Sequence, residues 1–357
     1  MVLPRDLALF LTKPSSSVWH LVKWAVKNMI GTTLEPIPLS NEPKYYPNRD
    51  VSLIVPTIGF DEDLIVSVRS WLSNHPKEII IVTSEKFIDA LIELVHGELS
   101  AEERETIQLL SCPLANKRRQ LVTGIQKATG EIIVFADDDV FWPPTVLTFM
   151  LAGFEADESV GAVGGFHRAR RQNTPSAFQF NGWEALAARR LWLRKIDVSA
   201  SVRLDGGIPC ISGRTAAYRA AVMQDANFQH RFTNEYWLGR WRLNSGDDQF
   251  MTRWVIDQGW KARIQSAPEA EIETTVLPSA LYLRQWMRWN RNAQRSYSKR
   301  LLLSKQTYRW VMSITVVDHR RDIADTTKDT LSLHSEWWKV WSWQSFNHSS
   351  THGACVS

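Results

Sequence analysis

Glu131-Ile132-Ile133-Val134-Phe135-Ala136-Asp137-Asp138-Asp139-Val140 sets an apolar run directly against three consecutive carboxylates. A short unbroken apolar stretch bounded by polar residues reads as a buried strand. Three adjacent carboxylates repel one another unless something positive sits among them, and they offer the oxygen ligands that a hard divalent cation prefers. Magnesium is usually held by one or two carboxylates, with substrate phosphates completing its shell. From these residues alone, a metal-bound diphosphate and a solvated acidic loop both remain open.

Upstream, strands alternate with helices. Residues 34–50 carry four prolines and read as an extended linker. Val51-Ser52-Leu53-Ile54-Val55-Pro56-Thr57 is a buried strand running into a turn. Asp61 to Leu72 places Leu64, Ile65, Val68 and Leu72 on one helical face, and Glu78 to Val82 is a second strand. A helix from about Lys86 to His96, an extended piece ending at Leu109 and a helix from Lys117 to Ala128 lead to the strand Ile132–Ala136. This alternation predicts an α/β fold with a mixed, mostly parallel sheet flanked by helices and functional loops at the strand C-terminal ends. The acidic run sits at such an end.

Downstream, Val160–Phe166 reads as a strand and Trp183–Leu193 as a helix. Cys210 to Arg214 reads as a turn before a helix expected to begin near Thr215. Gly246-Asp247-Asp248 opens a helix through Val255, Gly259–Ile264 is a turn and strand, and Ser279 to about Leu303 is helical. Two acidic residues at a helix start have a plain capping explanation. In Gln285-Trp286-Met287-Arg288-Trp289, residues 285, 288 and 289 share one helix face. A guanidinium suits a diphosphate and an indole suits a sugar face, while a helix lying at a membrane interface would use the same residue types.

The 357 residues carry a formal charge of +4 spread along the chain, so nucleic acid is not an expected partner, whereas phosphates and an anionic membrane surface are. Cys112, Cys210 and Cys355 lack metal-ligand spacing and the density of a disulfide scaffold, which fits a reduced, cytosol-facing compartment. Seventeen tryptophans, most of them in the C-terminal half, suit membrane interfaces and sugar stacking as well as cores. The segment Leu7–Ile30 is interrupted by lysines and reads as an interfacial or core-docking amphipathic helix rather than a span or a signal peptide.

The first-strand sequence, Lys117-Arg118 before a helix, Asp137-x-Asp139, Gly246-Asp247-Asp248 and Gln285-x-x-Arg288-Trp289, in that order, resemble the family 2 glycosyltransferases. Among them the chain resembles the membrane polysaccharide synthases, the hyaluronan, cellulose and chitin synthase group with its fungal capsule-synthase-like members. The resemblance covers roughly residues 50 to 300. It implies a GT-A nucleotide-diphospho-sugar transferase fold and a metal-dependent hexosyltransferase that inverts the anomeric centre. A UDP-sugar would be the donor, a saccharide the acceptor, and Mg²⁺ or Mn²⁺ the cofactor.

By the same resemblance, Asp137 and Asp139 would hold the metal and diphosphate, with Asp138 the spacer between them, and Asp248 would be the general base beside Asp247. Gln285, Arg288 and Trp289 would close over the diphosphate and acceptor end. Lys117 would balance phosphate charge, Ser212-Gly213 would form a turn near the acceptor, and Pro56 and Thr57 would line the uracil pocket. The acidic pair that many relatives carry after the second strand is absent from Val82-Thr83-Ser84-Glu85, so Glu85 or Ser84 would substitute.

The expected organisation is an N-terminal amphipathic segment and linker over 1–49, the GT-A domain over 50–304, and a divergent or truncated tail over 305–357. Trp310–Val317 is too short to supply the channel helices of processive relatives. The enzyme is expected at a membrane with its catalytic domain facing the cytoplasm, in cell-surface polysaccharide synthesis. Two alternatives stand beside this. One is a non-catalytic remnant that binds nucleotide-sugar or membrane. The other is a sugar nucleotidylyltransferase, which would need a glycine-rich loop where the chain has Pro56-Thr57-Ile58-Gly59-Phe60.

Overall fold

Alternate residues of the central strands face opposite sides of one sheet, and both sides are covered. In the first strand, β1 (Val51–Pro56), Leu53 and Val55 join one apolar cluster and Ile54 the other. In β2 (Glu78–Ser84), Ile79 and Ile81 face one way, Ile80 and Val82 the other. Residues Ile132, Val134 and Ala136 of β4 (Ile132–Ala136) oppose Ile133 and Phe135 in the same manner. Burial on two faces is why these strands read as unbroken apolar runs. Each buried Ile, Leu or Val contributes roughly 1.5–3 kcal/mol by leaving water.

The computed structural model describes residues 16–59, 62–170 and 181–303. The other strands are β3 (Ile107–Cys112), β5 (Val140–Phe141), β6 (Val160–Gly164), β7 (His167–Ala169), β8 (Thr215–Arg219), β9 (Tyr236–Trp237), β10 (Trp241–Arg242), β11 (Lys261–Ile264) and β12 (Ile272–Thr274). The seven-stranded sheet runs β11-β6-β8-β4-β1-β2-β3. Only β8 is antiparallel to its neighbours, β4 and β6; the other pairings are parallel. The mixed, mostly parallel sheet is as expected. Strands β5, β12 and β7 make a three-stranded sheet beside the C-terminal end of β4, and β9 and β10 form a hairpin.

Thr215–Arg219 is a strand, not the start of a helix; helix begins only at Ala220. Ala216 and Ala217 favour a helix locally, but both are fully buried between β4 and β6. Tertiary pairing overrides local propensity there. The Val160–Phe166 strand stops at Gly164, and the helix expected over Trp183–Leu193 runs from Gly182 to Asp205. The helix that opens at Lys117 ends at Ile125, before Ala128.

That helix lies unusually close to β1, since a Cβ on Gly124 would fall 2.4 Å from Ile54 Cγ2. Buried Gln120 donates from Nε2 to the carbonyls of Thr57 (2.6 Å) and Val82 (2.9 Å), binding the ends of β1 and β2 together. The acidic run is fixed from both sides. Asp137 N–H donates to Arg214 O at 3.0 Å, and Thr275 N–H donates to Asp139 O at 3.2 Å. Just beyond it, Trp71 Nε1 donates to Val140 O and Trp142 Nε1 to Thr215 Oγ1.

From the N-terminal segment, Ser16–Gly31 is a helix packed on Gly182–Asp205, with Lys27 paired to Asp197 at 2.8 Å. Leu21, Trp24 and Met29 remain exposed. The proline-rich connection is stitched down: Ile37 N–H donates to Gln265 Oε1, and Gln265 Nε2 donates back to Ile37 O. Among the described residues no helix is long and apolar enough to cross a membrane. Residues 1–15 and the 305–357 tail lie outside the described residues.

Candidate active site

Two acidic motifs more than a hundred residues apart in sequence meet at one lysine. Lys117 opens its helix behind the N-cap Asn116, whose side chain accepts from Arg119 N–H. Its Nζ lies 2.6 Å from Asp137 Oδ1, at the end of β4, and 3.1 Å from Asp247 Oδ2, at the start of the helix Asp247–Asp257. Burial alone would lower the Lys117 pKa, but Asp137 and Asp247 hold it well above its ordinary value. The positive group that three adjacent carboxylates require is therefore this ammonium, with Arg214 adding a second positive field.

The remaining carboxyls of the run have different surroundings. Asp138 turns towards β1 and accepts from Thr57 Oγ1 at 2.6 Å. Burial, with Asp137 adding to it, pushes Asp138 upward despite that bond. Asp139 still reaches solvent, yet the protein around its carboxyl and the neighbouring Asp137 push it up to about 7. A carboxyl that disfavours charge in this way is one a divalent cation would satisfy. No three His, Cys, Asp or Glu side chains converge into a metal site among the described residues. An ion held by Asp137 and Asp139 would therefore take most of its shell from a diphosphate and water.

The adjacent Asp247 and Asp248 are driven apart. Burial would raise Asp247, but Lys117 outweighs it and holds the carboxyl below the ordinary range. Burial and then the Asp247 charge push Asp248 above that range. Neighbouring carboxyls separated by environment in this way are suited to different tasks, one fixed as an ion and the other poised to take a proton. Gly213 brings the turn before β8 against this pair. A Cβ there would stand 3.2 Å from Asp248 Cβ and 3.5 Å from Asp247 Oδ2.

Asp248 lines a cavity of about 160 Å³ together with Ser212, Arg214 and Trp289. The Arg214 guanidinium lies 5.1 Å from the Trp289 ring centroid, and its Nε donates to Thr274 Oγ1 at 3.2 Å. Of the expected site residues, Lys117, Asp137, Asp247, Gly213 and Asp248 come together, and Ser212 and Trp289 meet at the adjoining cavity. Thr57 joins through Asp138, and Pro56 ends β1 beside it. Glu85 is exposed at the end of β2. Gln285 is half-buried and Arg288 exposed, and neither lines the cavity.

Arg118 has a supporting role that the sequence does not show. Arg118 is almost fully buried and donates to Glu235 Oε2 and Phe232 O at 2.8 Å, and to Ser245 O at 3.0 Å. It holds the loop that delivers Asp247 and Asp248. Glu235 also receives Arg253 and Lys299, the latter from the helix that carries Trp289. The sequence carries Arg118 only as part of the Lys117-Arg118 motif, and only the fold brings Glu235 to it.

A model of the glycosyltransferase-like family 2 matches residues 47–292, a span that contains Lys117, Asp137, Asp247, Asp248 and Trp289. The chain belongs to that glycosyltransferase family. It is 38% identical over 300 residues to a type 2 glycosyltransferase of Zymoseptoria tritici, covering 84% of this chain and 61% of that protein. A type 2 glycosyltransferase of Gibberella zeae is 34% identical, with 87% and 58% covered. The NDP-glycosyltransferase ltbB of Aspergillus luteorubrus is 36% identical, with 80% and 69% covered. The chain thus spans about three fifths of the length of the first two relatives. Among solved structures, the mannosyltransferase PcManGT from Pyrobaculum calidifontis, in complex with GDP-Man and Mn²⁺, superposes with a TM-score of 0.56 at 19% identity, covering 84% of this chain and 76% of that one. The fold of this family 2 glycosyltransferase is the GT-A fold.

Proposed function

We propose that the protein transfers a hexose with inversion from a UDP-sugar to a saccharide acceptor, with Asp248 as general base. The observation that carries this is the joining of Asp137 and Asp247 through Lys117, which sets the acidic strand end beside a carboxyl raised above its ordinary range. The acceptor hydroxyl attacks the anomeric carbon. A new carbon–oxygen bond forms, the bond to the diphosphate breaks with its electron pair leaving on phosphate oxygen, and the hydroxyl proton passes to Asp248. Lys117 and Arg214 place fixed positive charge where the leaving group gathers negative charge. Mg²⁺ or Mn²⁺ held by Asp137 and Asp139 would supply further stabilisation of the diphosphate.

Thr57, oriented by its bond to Asp138, lies at the strand end where the nucleoside would bind. Pro56, and Glu85 at the end of β2, complete the proposed nucleoside side. Gln285, Arg288 and Trp289 would close over the diphosphate and acceptor. We assign the protein to cell-surface polysaccharide synthesis by the hyaluronan, cellulose and chitin synthase type of enzyme, at a membrane with this domain facing the cytoplasm. The exposed Leu21, Trp24 and Met29 of the N-terminal helix and Trp286 and Met287 of the C-terminal helix support a membrane contact.

A screen of UDP-sugars with Mg²⁺ or Mn²⁺, on the full chain in membranes, tests the reading by UDP release and product length. Metal-dependent release of UDP with a glycosylated product supports it. Donor binding without release would indicate a non-catalytic remnant, and pyrophosphate chemistry a nucleotidylyltransferase.

A further inference from the structure

We propose that the cavity beside Asp248 receives an acceptor carrying an anionic group, a carboxylate or a phosphate, close to its attacking hydroxyl. The inference rests on the glycosyl-transfer reading of the site and names the class of acceptor. Asp248 lines this cavity, whereas Asp137, Asp139 and Lys117 do not. The donor diphosphate therefore belongs on the other side of Asp248, and the cavity is open to the second substrate.

Its walls are cationic. Arg190, Arg194 and Arg214 all line it. The first two stand four residues apart on the helix Gly182–Asp205 and so share one face. Arg194 is anchored by donating to Cys210 O at 2.9 Å, and Arg214 by Thr274 and the Trp289 ring. Arg214 also faces Asp139 and Asp137 and so serves the donor side; of the two carboxylates lining the cavity, Asp197 is already paired with Lys27 at 2.8 Å, which leaves Asp248 as the one directed to chemistry. A neutral sugar would need only the amides and hydroxyls that also line the wall. Arg190 and Arg194, with planar forked donors matched to carboxylate and phosphate oxygens, exceed that need.

Titration calorimetry of the full chain tests this without turnover. UDP and Mn²⁺ are present throughout to fill the diphosphate site, and the probes are glucuronate, glucose 6-phosphate and glucose. At least one anionic probe is expected to bind about tenfold or more tightly than glucose, the loss of one charged hydrogen bond being worth roughly that factor. Preference for glucuronate identifies a carboxylate acceptor, and preference for glucose 6-phosphate a phosphate one. Arg190→Gln should weaken the preferred anion about tenfold and leave glucose unmoved. Equal affinity for all three probes, or anion affinity unchanged in Arg190→Gln, overturns the proposal. Failure of the glycosyl-transfer reading is seen separately, as absent UDP release in the donor screen.

Discussion

Lys117 Nζ and Asp137 Oδ1 stand 2.6 Å apart, so the ammonium at a helix start neutralises the first carboxylate at the end of β4. Because Lys117 also reaches Asp247, its removal leaves two half-buried carboxylates facing each other. Lys117→Met is expected to lower kcat/KM about 30-fold or more, the lower end of the cost of truncating one partner of a desolvated charge pair. Lys117→Arg, which keeps the charge, should recover part of it. Steady-state kinetics with varied donor would check this; equal activity of Lys117→Met and wild type would remove the lysine from the site.

The acidic run was legible because charge beside an unbroken apolar strand is visible locally, whereas Asp247 and Asp248 have a plain capping explanation and were singled out only by the family resemblance. The junction of the two motifs at Lys117 needed the structure, since the helix of Lys117 and that of Asp247 are brought together only by packing on the same face of the sheet. The pairing of Arg118 with Glu235 was invisible for the same reason. Thr215 to Arg219 was misread because its alanines are chosen for the narrow space between β4 and β6, a constraint that helix propensity does not register.

Chelation is expected to abolish UDP release, and added Mn²⁺ or Mg²⁺ to restore it. Asp139→Asn should raise the Mn²⁺ concentration for half-maximal activity about tenfold or more, since one of the two carboxylates proposed to hold the ion is lost. A metal titration of wild type and variant measures this. Full activity of chelated protein would contradict the assignment.

Gly213 is a spacing requirement of the Asp247–Asp248 pair. The added methyl of Gly213→Ala meets Asp248 Cβ at 3.2 Å and must displace it by a few tenths of an ångström. A fall of about tenfold in kcat is expected, because displacement on the 1 Å scale costs about 100-fold, and Gly213→Val should lose more. Thermal unfolding should change little in Gly213→Ala. Comparison of kcat with melting temperature separates a misplaced base from a damaged fold.

Glu235 is buried among Arg118, Arg253 and Lys299. Burial would raise its pKa, but the three cations outweigh it and hold the carboxyl below the ordinary value. The stabilisation is therefore present above the unfolded carboxyl's value of about 4.3 and is lost as pH falls through the lower folded value. Glu235→Ala strands buried cations and should cost about 3–5 kcal/mol. Urea unfolding of wild type and variant at pH 7 and in acid should show that difference narrowing as pH falls; a constant difference would contradict the ion-pair account.

In the proposed reaction Asp248 takes the acceptor's proton. Transfer by Asp248→Asn is measured as UDP release beside donor affinity on the folded variant. A loss of about 10²–10⁴-fold in transfer with donor affinity retained is expected, whereas undiminished transfer by folded Asp248→Asn would remove Asp248 as the base.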